Sequence, residues 1–112
     1  MSTYEINVSE PWFTLIGTGL KMVEGRLNKG KFSKIKPGDT FRFTNNEIGP
    51  DVKFEKEIKN ITYYDNFQTY LENETLEKCL PGINTIEDGL KIYYNYYTKN
   101  DELEYKIIAF TF

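Results

Sequence analysis

Histidine is absent from this chain, and cysteine occurs once, at Cys79. Two familiar kinds of chemistry go with them: the imidazole proton shuttle and the thiolate–imidazole sites that hold zinc. A single cysteine also excludes an internal disulfide. No run approaches the roughly 18 apolar residues that span a bilayer. Met1–Glu5 lacks a basic segment followed by an apolar one, so no secretory signal is read there. The expectation is a soluble, cytoplasmic protein without a membrane partner. A metal would need an all-carboxylate site, and no acidic cluster suggests one, so neither metal nor cofactor is expected. Chemistry must then run on Lys, Glu, Asp, Tyr, Ser or Thr.

What the chain does have is aromatic weight and an uneven charge. At 112 residues, residues 1–112 form one domain with room for one modest core. Aromatic content is 16% against 39% apolar overall, so nine Tyr and eight Phe carry much of the burial. The net charge of −3 argues against bulk electrostatic coating of nucleic acid. Between Lys21 and Arg42, however, seven basic residues (Lys21, Arg26, Lys29, Lys31, Lys34, Lys36, Arg42) face only Glu24 and Asp39. A basic strip on an acidic body suits an anionic ligand met at one place, or simply a solvated lysine-rich loop.

The periodicity predicts an α+β order. Tyr4 to Val8 reads as a strand, and Ser9 as the cap of a helix carrying Trp12, Leu15 and Ile16 on one face. Gly17 and Gly19 end that helix. Lys21 to Leu27 reads as extended. Pro37-Gly38-Asp39 is a turn before the strand Thr40–Thr44. Val52 to Ile61 reads as one further strand, paired back across Asn45–Pro50. Asp65 is the expected cap of a helix with Phe67, Tyr70 and Leu71. Leu76, Cys79 and Leu80 continue helical spacing to Pro81-Gly82. Thr85 with Asp88 opens a helix carrying Ile86, Leu90, Tyr93, Tyr94 and Tyr97. Glu104 to Phe112 reads as a closing strand, apolar on both faces and therefore central in a sheet. The expected architecture is a small closed or nearly closed β-barrel of five to six strands with short flanking helices.

The segment Gly19-Leu20-Lys21-Met22-Val23-Glu24-Gly25-Arg26 carries the most chemistry. On a strand, Glu24 and Arg26 share a face about 6–7 Å apart. Lys21 lies at the helix-to-strand junction, where an irregular backbone lets its stem swing toward them. Arg26 offers a planar fork for phosphate or a base edge, Glu24 an acceptor, and Lys21 a point charge. As a catalytic group, Lys21 would act as base or nucleophile, with Glu24 relaying a proton. The plainer alternative is a surface ion pair between Glu24 and Arg26, worth under ~1 kcal/mol. The run Tyr93-Tyr94-Asn95-Tyr96-Tyr97 supplies further candidates for stacking on bases. On a helix Tyr93 and Tyr97 lean toward the core, with Tyr94 or Tyr96 at the rim. Cys79 reads as a buried structural thiol.

Gly19-x-Lys21-x-x-Glu24-x-Arg26 resembles the GxKxxExR signature of the ASCH (activating signal cointegrator homology) family, part of the PUA-like superfamily. Pro37-Gly38-Asp39-Thr40-Phe41 resembles that family's GD turn and following strand. Tyr96-Tyr97-Thr98 through Glu104 and Ile107–Phe110 resemble its C-terminal block. The resemblance implies a β-barrel whose signature lines a cleft, and a role with RNA, single-stranded nucleic acid or a nucleotide. With Arg42 of the basic strip and Tyr94 and Tyr97 of the tyrosine run, the signature residues Lys21, Glu24 and Arg26 make up the candidate ligand-binding set. Some small relatives are amidohydrolases acting on N4-acetylcytidine and others are ribonucleases, which makes a hydrolase with catalytic Lys21 and Glu24 the alternative. Those amidohydrolases carry a threonine where this chain has Glu24, and their further glutamate comes from the central helical region, where Glu72, Glu74 and Glu77 stand. A protein-interaction module is the third reading.

Overall fold

Alternation in the strand after the Pro37-Gly38-Asp39 turn explains the architecture. Thr40–Thr44 turns Phe41 and Phe43 inward, both fully buried, and leaves Thr40, Arg42 and Thr44 only half-covered. The computed structural model describes all 112 residues. The elements are β1 (Thr3–Asn7), α1 (Trp12–Gly17), β2 (Val23–Leu27), a 3-10 turn at Gly30–Lys34, β3 (Thr40–Thr44), β4 (Lys53–Glu57) and β5 (Asn60–Tyr64). There follow α2 (Phe67–Glu74), α3 (Leu76–Cys79), α4 (Ile86–Tyr94), α5 (Lys99–Tyr105) and β6 (Ile107–Thr111).

Two three-stranded sheets result, in the orders β1-β3-β4 and β2-β6-β5. In the first, β1 runs parallel to β3; every other pairing is antiparallel. Between the sheets lies one core cluster, built from Ile6, Phe41, Phe43, Ile58, Ile108 and Phe110 with Phe13 and Ile16 of α1. Phe41 of one sheet meets Phe110 of the other edge-to-face, ring centroids 4.9 Å apart. A second cluster lies between the β2-β6-β5 sheet and the helices, with Val23, Leu27, Ile107 and Ala109 against Phe67, Tyr70, Leu71 and Tyr93. β6 therefore buries both faces, Ile108 and Phe110 into the first cluster, Ile107 and Ala109 into the second. Its expected central place is what the sheet shows.

The expected barrel does not close. Residues 52–61 are two strands, not one: β4 belongs to the first sheet and β5 to the second, with Ile58 and Lys59 as the corner. Ile58 donates to the Asp39 carbonyl and accepts from the Gly38 amide, each at 2.8 Å, and is fully buried. The apolar parity shifts there, from Phe54 and Ile58 to Ile61, which is what a bent strand requires. Chain continuity thus joins the sheets at β4/β5, while β1 and β2 remain as free edges at the other seam. The Gly38-Asp39 turn is fixed by the Asp39 carboxylate, which accepts from the Ser2 amide at 3.0 Å and the Lys36 amide at 2.9 Å.

Several boundaries move. The closing strand begins at Ile107, because Thr98 accepts from the Asp101 amide and opens α5, which takes in Glu104 and Tyr105, expected at the start of the strand. The cap of α2 is Asn66, not Asp65; its side chain accepts from the Thr69 amide at 2.7 Å. Ser9 caps nothing: α1 starts after Pro11, and Glu10 accepts from the Thr14 amide instead. β2 starts at Val23, two residues after Lys21. Thr85 does cap α4, accepting from the Asp88 amide, but that helix stops at Tyr94. No helix is long and apolar enough to cross a membrane.

Candidate functional site

Gly19 adopts φ +84°, and the Lys21 amide then donates to the Leu15 carbonyl at 2.9 Å. This left-handed step ties the end of α1 to the start of β2 and sends the Lys21 stem inward. The lysine is 2% exposed. Its Nζ donates to the Val23 carbonyl at 2.6 Å and to the Cys79 carbonyl, and pairs with Glu24 Oε1 at 3.2 Å. All three donors of the ammonium are therefore engaged. The indole of Trp12 lies 6.0 Å from Nζ.

Glu24 takes its second partner from the same strand. Arg26 sits two residues on, so strand alternation puts both side chains on one face. Arg26 Nε and Nη2 both reach Glu24 Oε2, at 2.9 and 2.8 Å. The Tyr97 hydroxyl lies beside the same guanidinium, whose carbon is 5.4 Å from the Phe32 ring centroid. Burial pushes the Glu24 carboxyl up, but the charges of Lys21 and Arg26 outweigh it and hold the group below its ordinary value. Burial works against the Arg26 cation too, and Glu24 reverses it. Two cations and one anion leave the trio one net positive charge.

The trio lines a cavity of about 400 Å³ at the open seam between the sheets. Asn7, Val8 and Ser9, where β1 ends, form one wall; Glu24, Gly25 and Arg26 of β2 form another. Trp12, Tyr93, Tyr96 and Tyr97 supply the aromatic lining, and Glu47 comes in from the loop before β4. Gly25 cannot be replaced without movement: a Cβ there would lie 2.4 Å from Cζ of Tyr70. Tyr97 stacks on Phe67 at 5.5 Å, which fixes the ring at the cavity wall. Burial raises its hydroxyl pKa, with Arg26 opposing.

The structure therefore brings Lys21, Glu24, Arg26 and Tyr97 together. Arg42 and Tyr94 stand elsewhere. Arg42 pairs with its cross-strand neighbour Glu55 on the outer face of β3 and β4, at 2.9 Å. The Tyr94 hydroxyl donates to the Glu102 carboxylate at 2.9 Å, and Glu102 also accepts from the Phe67 amide at 2.8 Å. That buried staple joins α5 to the start of α2. Glu72, Glu74 and Glu77 also lie off the cavity; Glu74 accepts from the Tyr64 hydroxyl. Trp12 and Glu47 are lining residues that periodicity missed, and of the two rim candidates Tyr96, not Tyr94, reaches the cavity. Trp12 falls on the apolar face of α1, and only the break of α4 after Tyr94 aims Tyr96 at the mouth.

Two solved structures resemble the whole chain. One is the crystal structure of hypothetical protein PH0355, at 36% identity and a TM-score of 0.86, covering 99% of this chain and 96% of that one. The other is the solution structure of protein PF0455 from Pyrococcus furiosus, at 35% identity and a TM-score of 0.77, covering 97% and 94%. No curated protein sequence matches the chain. The pattern of the ASCH domain matches residues 6–111, from β1 to the end of β6, and spans both sheets and the charged trio between them. The chain belongs to the ASCH domain family.

Proposed function

We propose that the protein binds RNA, or a nucleotide drawn from it, in the seam cavity. One observation carries this reading: a charged trio of net charge +1, with Lys21 and Glu24 buried and Arg26 partly exposed, lines a concave site with an aromatic lining. A cavity of about 400 Å³ falls in the range of small-molecule sites. Arg26 would take a phosphate or carbonyl oxygen, and Trp12, Tyr96 and Tyr97 would offer faces to a base. Lys29, Lys31, Lys34 and Lys36 follow β2 directly and would attract the backbone. The test is fluorescence anisotropy with labelled single-stranded RNA, at about 50 and 200 mM salt. Binding should weaken steeply with salt and in Arg26→Ala. Absence of binding to any RNA or single-stranded DNA at low salt overturns the proposal.

A hydrolytic reading has its own support, the burial of Lys21 beside Glu24 at the cavity wall. A lysine acting as base or nucleophile needs a lone pair, however, and here each ammonium proton already has an acceptor. That arrangement supports a positioning role for Lys21 over an attacking one. Incubation with N4-acetylcytidine and with labelled RNA, wild type beside Lys21→Ala, decides it. Turnover that survives in the variant rules out Lys21 as base or nucleophile, and no turnover of either substrate removes both reactions.

A further inference from the structure

The peptide groups of β2 are shared unequally. Phe112 donates to the Met22 carbonyl at 3.1 Å and Asn28 donates to the Lys106 carbonyl at 2.9 Å. With Glu24 opposite Phe110 and Arg26 opposite Ile108, the even-numbered residues turn their peptide groups toward β6. Val23, Gly25 and Leu27 therefore turn theirs outward, along the free edge. The Val23 carbonyl is taken by Lys21 Nζ and the Leu27 carbonyl by the Lys29 amide. Gly25 has no such cover. Neither its N–H nor its C=O meets a protein partner, although the residue is buried and lines the cavity. A buried peptide group left unpaired is costly, and natural proteins rarely leave both on one residue.

We infer that the Gly25 N–H and C=O are a recognition edge, which hydrogen-bonds a heterocycle carrying an acceptor beside an N–H donor. This rests on the cavity being the ligand site proposed above. In an extended residue the two groups lie side by side and point the same way, as they do when pairing with another strand. The Watson–Crick edge of a nucleobase presents a matching acceptor and donor side by side. Flanking the peptide, Arg26 and the cavity aromatics would hold the ring's substituents and faces. Tyr70 fills the space that a Gly25 side chain would need, while the ligand edge meets the backbone in the strand plane.

The test uses the full chain labelled with nitrogen-15 glycine, which gives eight amide signals. The four ribonucleoside 5′-monophosphates are titrated, each beside a counterpart methylated on its Watson–Crick edge, such as 3-methyluridine for uridine. The expected result is a downfield shift of the Gly25 amide proton with the tightest binder. Its methylated counterpart should bind at least about tenfold more weakly, since one buried group is left unsatisfied. Equal affinity of the pair, with the Gly25 amide unmoved while binding still falls in Arg26→Ala, overturns this inference and leaves the cavity reading standing. Binding by none of the monophosphates overturns it too; RNA binding that persists would then show the cavity reading surviving alone, and its loss would remove both.

Discussion

At one junction between the two sheets the chain itself crosses over, and Ile58 fills the corner with no exposed surface. At the other junction β1 and β2 do not pair, and a lysine, a glutamate and an arginine occupy the space. The closed seam meets its backbone needs with main-chain bonds from Asp39, Gly38 and Thr111. The open one meets them with a lysine ammonium, and leaves the Gly25 peptide uncovered. A barrel that stopped one pairing short has thereby gained a polar cavity without loosening its core.

The closed seam should be the more costly to damage. Ile58→Ala removes a fully buried side chain that α1 and β3 cannot collapse onto, and should cost about 4 kcal/mol in urea unfolding. Lys21→Ala should follow at about 3 kcal/mol, because the Val23 and Cys79 carbonyls lose their donor while Glu24 keeps only Arg26. A loss below about 1 kcal/mol would mean that the charged seam contributes nothing beyond a surface pair. Gly25→Ala should cost about 2 kcal/mol, since its Cβ meets a Tyr70 ring that has nowhere to retreat.

Acid should act on the open seam. The Glu24 pKa is depressed in the folded chain, so its stabilisation is complete above the ordinary glutamate value near ~4.3 and lost as pH falls through the lower native value. Denaturation midpoints of the wild type should therefore fall more steeply below about pH 5 than those of Glu24→Gln. Parallel pH profiles would show that the carboxylate is not held by its neighbours. The smallest effect concerns Cys79, fully buried, whose thiol burial pushes up to about 11. A thiol reagent at pH 8 should label native protein far more slowly than unfolded protein; prompt native labelling would place the α3 side of the cavity among the mobile parts.

Much of the fold is legible in the residues that bury themselves. Phe41 and Phe43 alternate, the Leu76-to-Leu80 spacing is helical, and Ile107–Phe110 has no polar face, so each element follows from its own pattern. Boundaries set by competing local bonds are less legible. Asn66 displaces Asp65 as a cap because its side chain meets the Thr69 amide, and Thr98 starts a helix that the tyrosine run obscures. The site divides the same way. Lys21, Glu24 and Arg26 are named by spacing, because two residues on a strand share a face and a junction lysine is free to turn. Arg42 and Tyr94 carry the right chemistry and the wrong address: Glu55 and Glu102, distant in sequence, claim them.

The sequence by itself determined which side chains are apolar, which strand is central, and which eight residues hold the charged signature, since these depend on periods of two or 3.6 within short windows. The tertiary structure decided that the sheet turns a corner at Ile58, that the barrel stays open between β1 and β2, and that Trp12, Tyr96 and Glu47 face the gap. Those outcomes depend on contacts between segments tens of residues apart, which local periodicity does not encode.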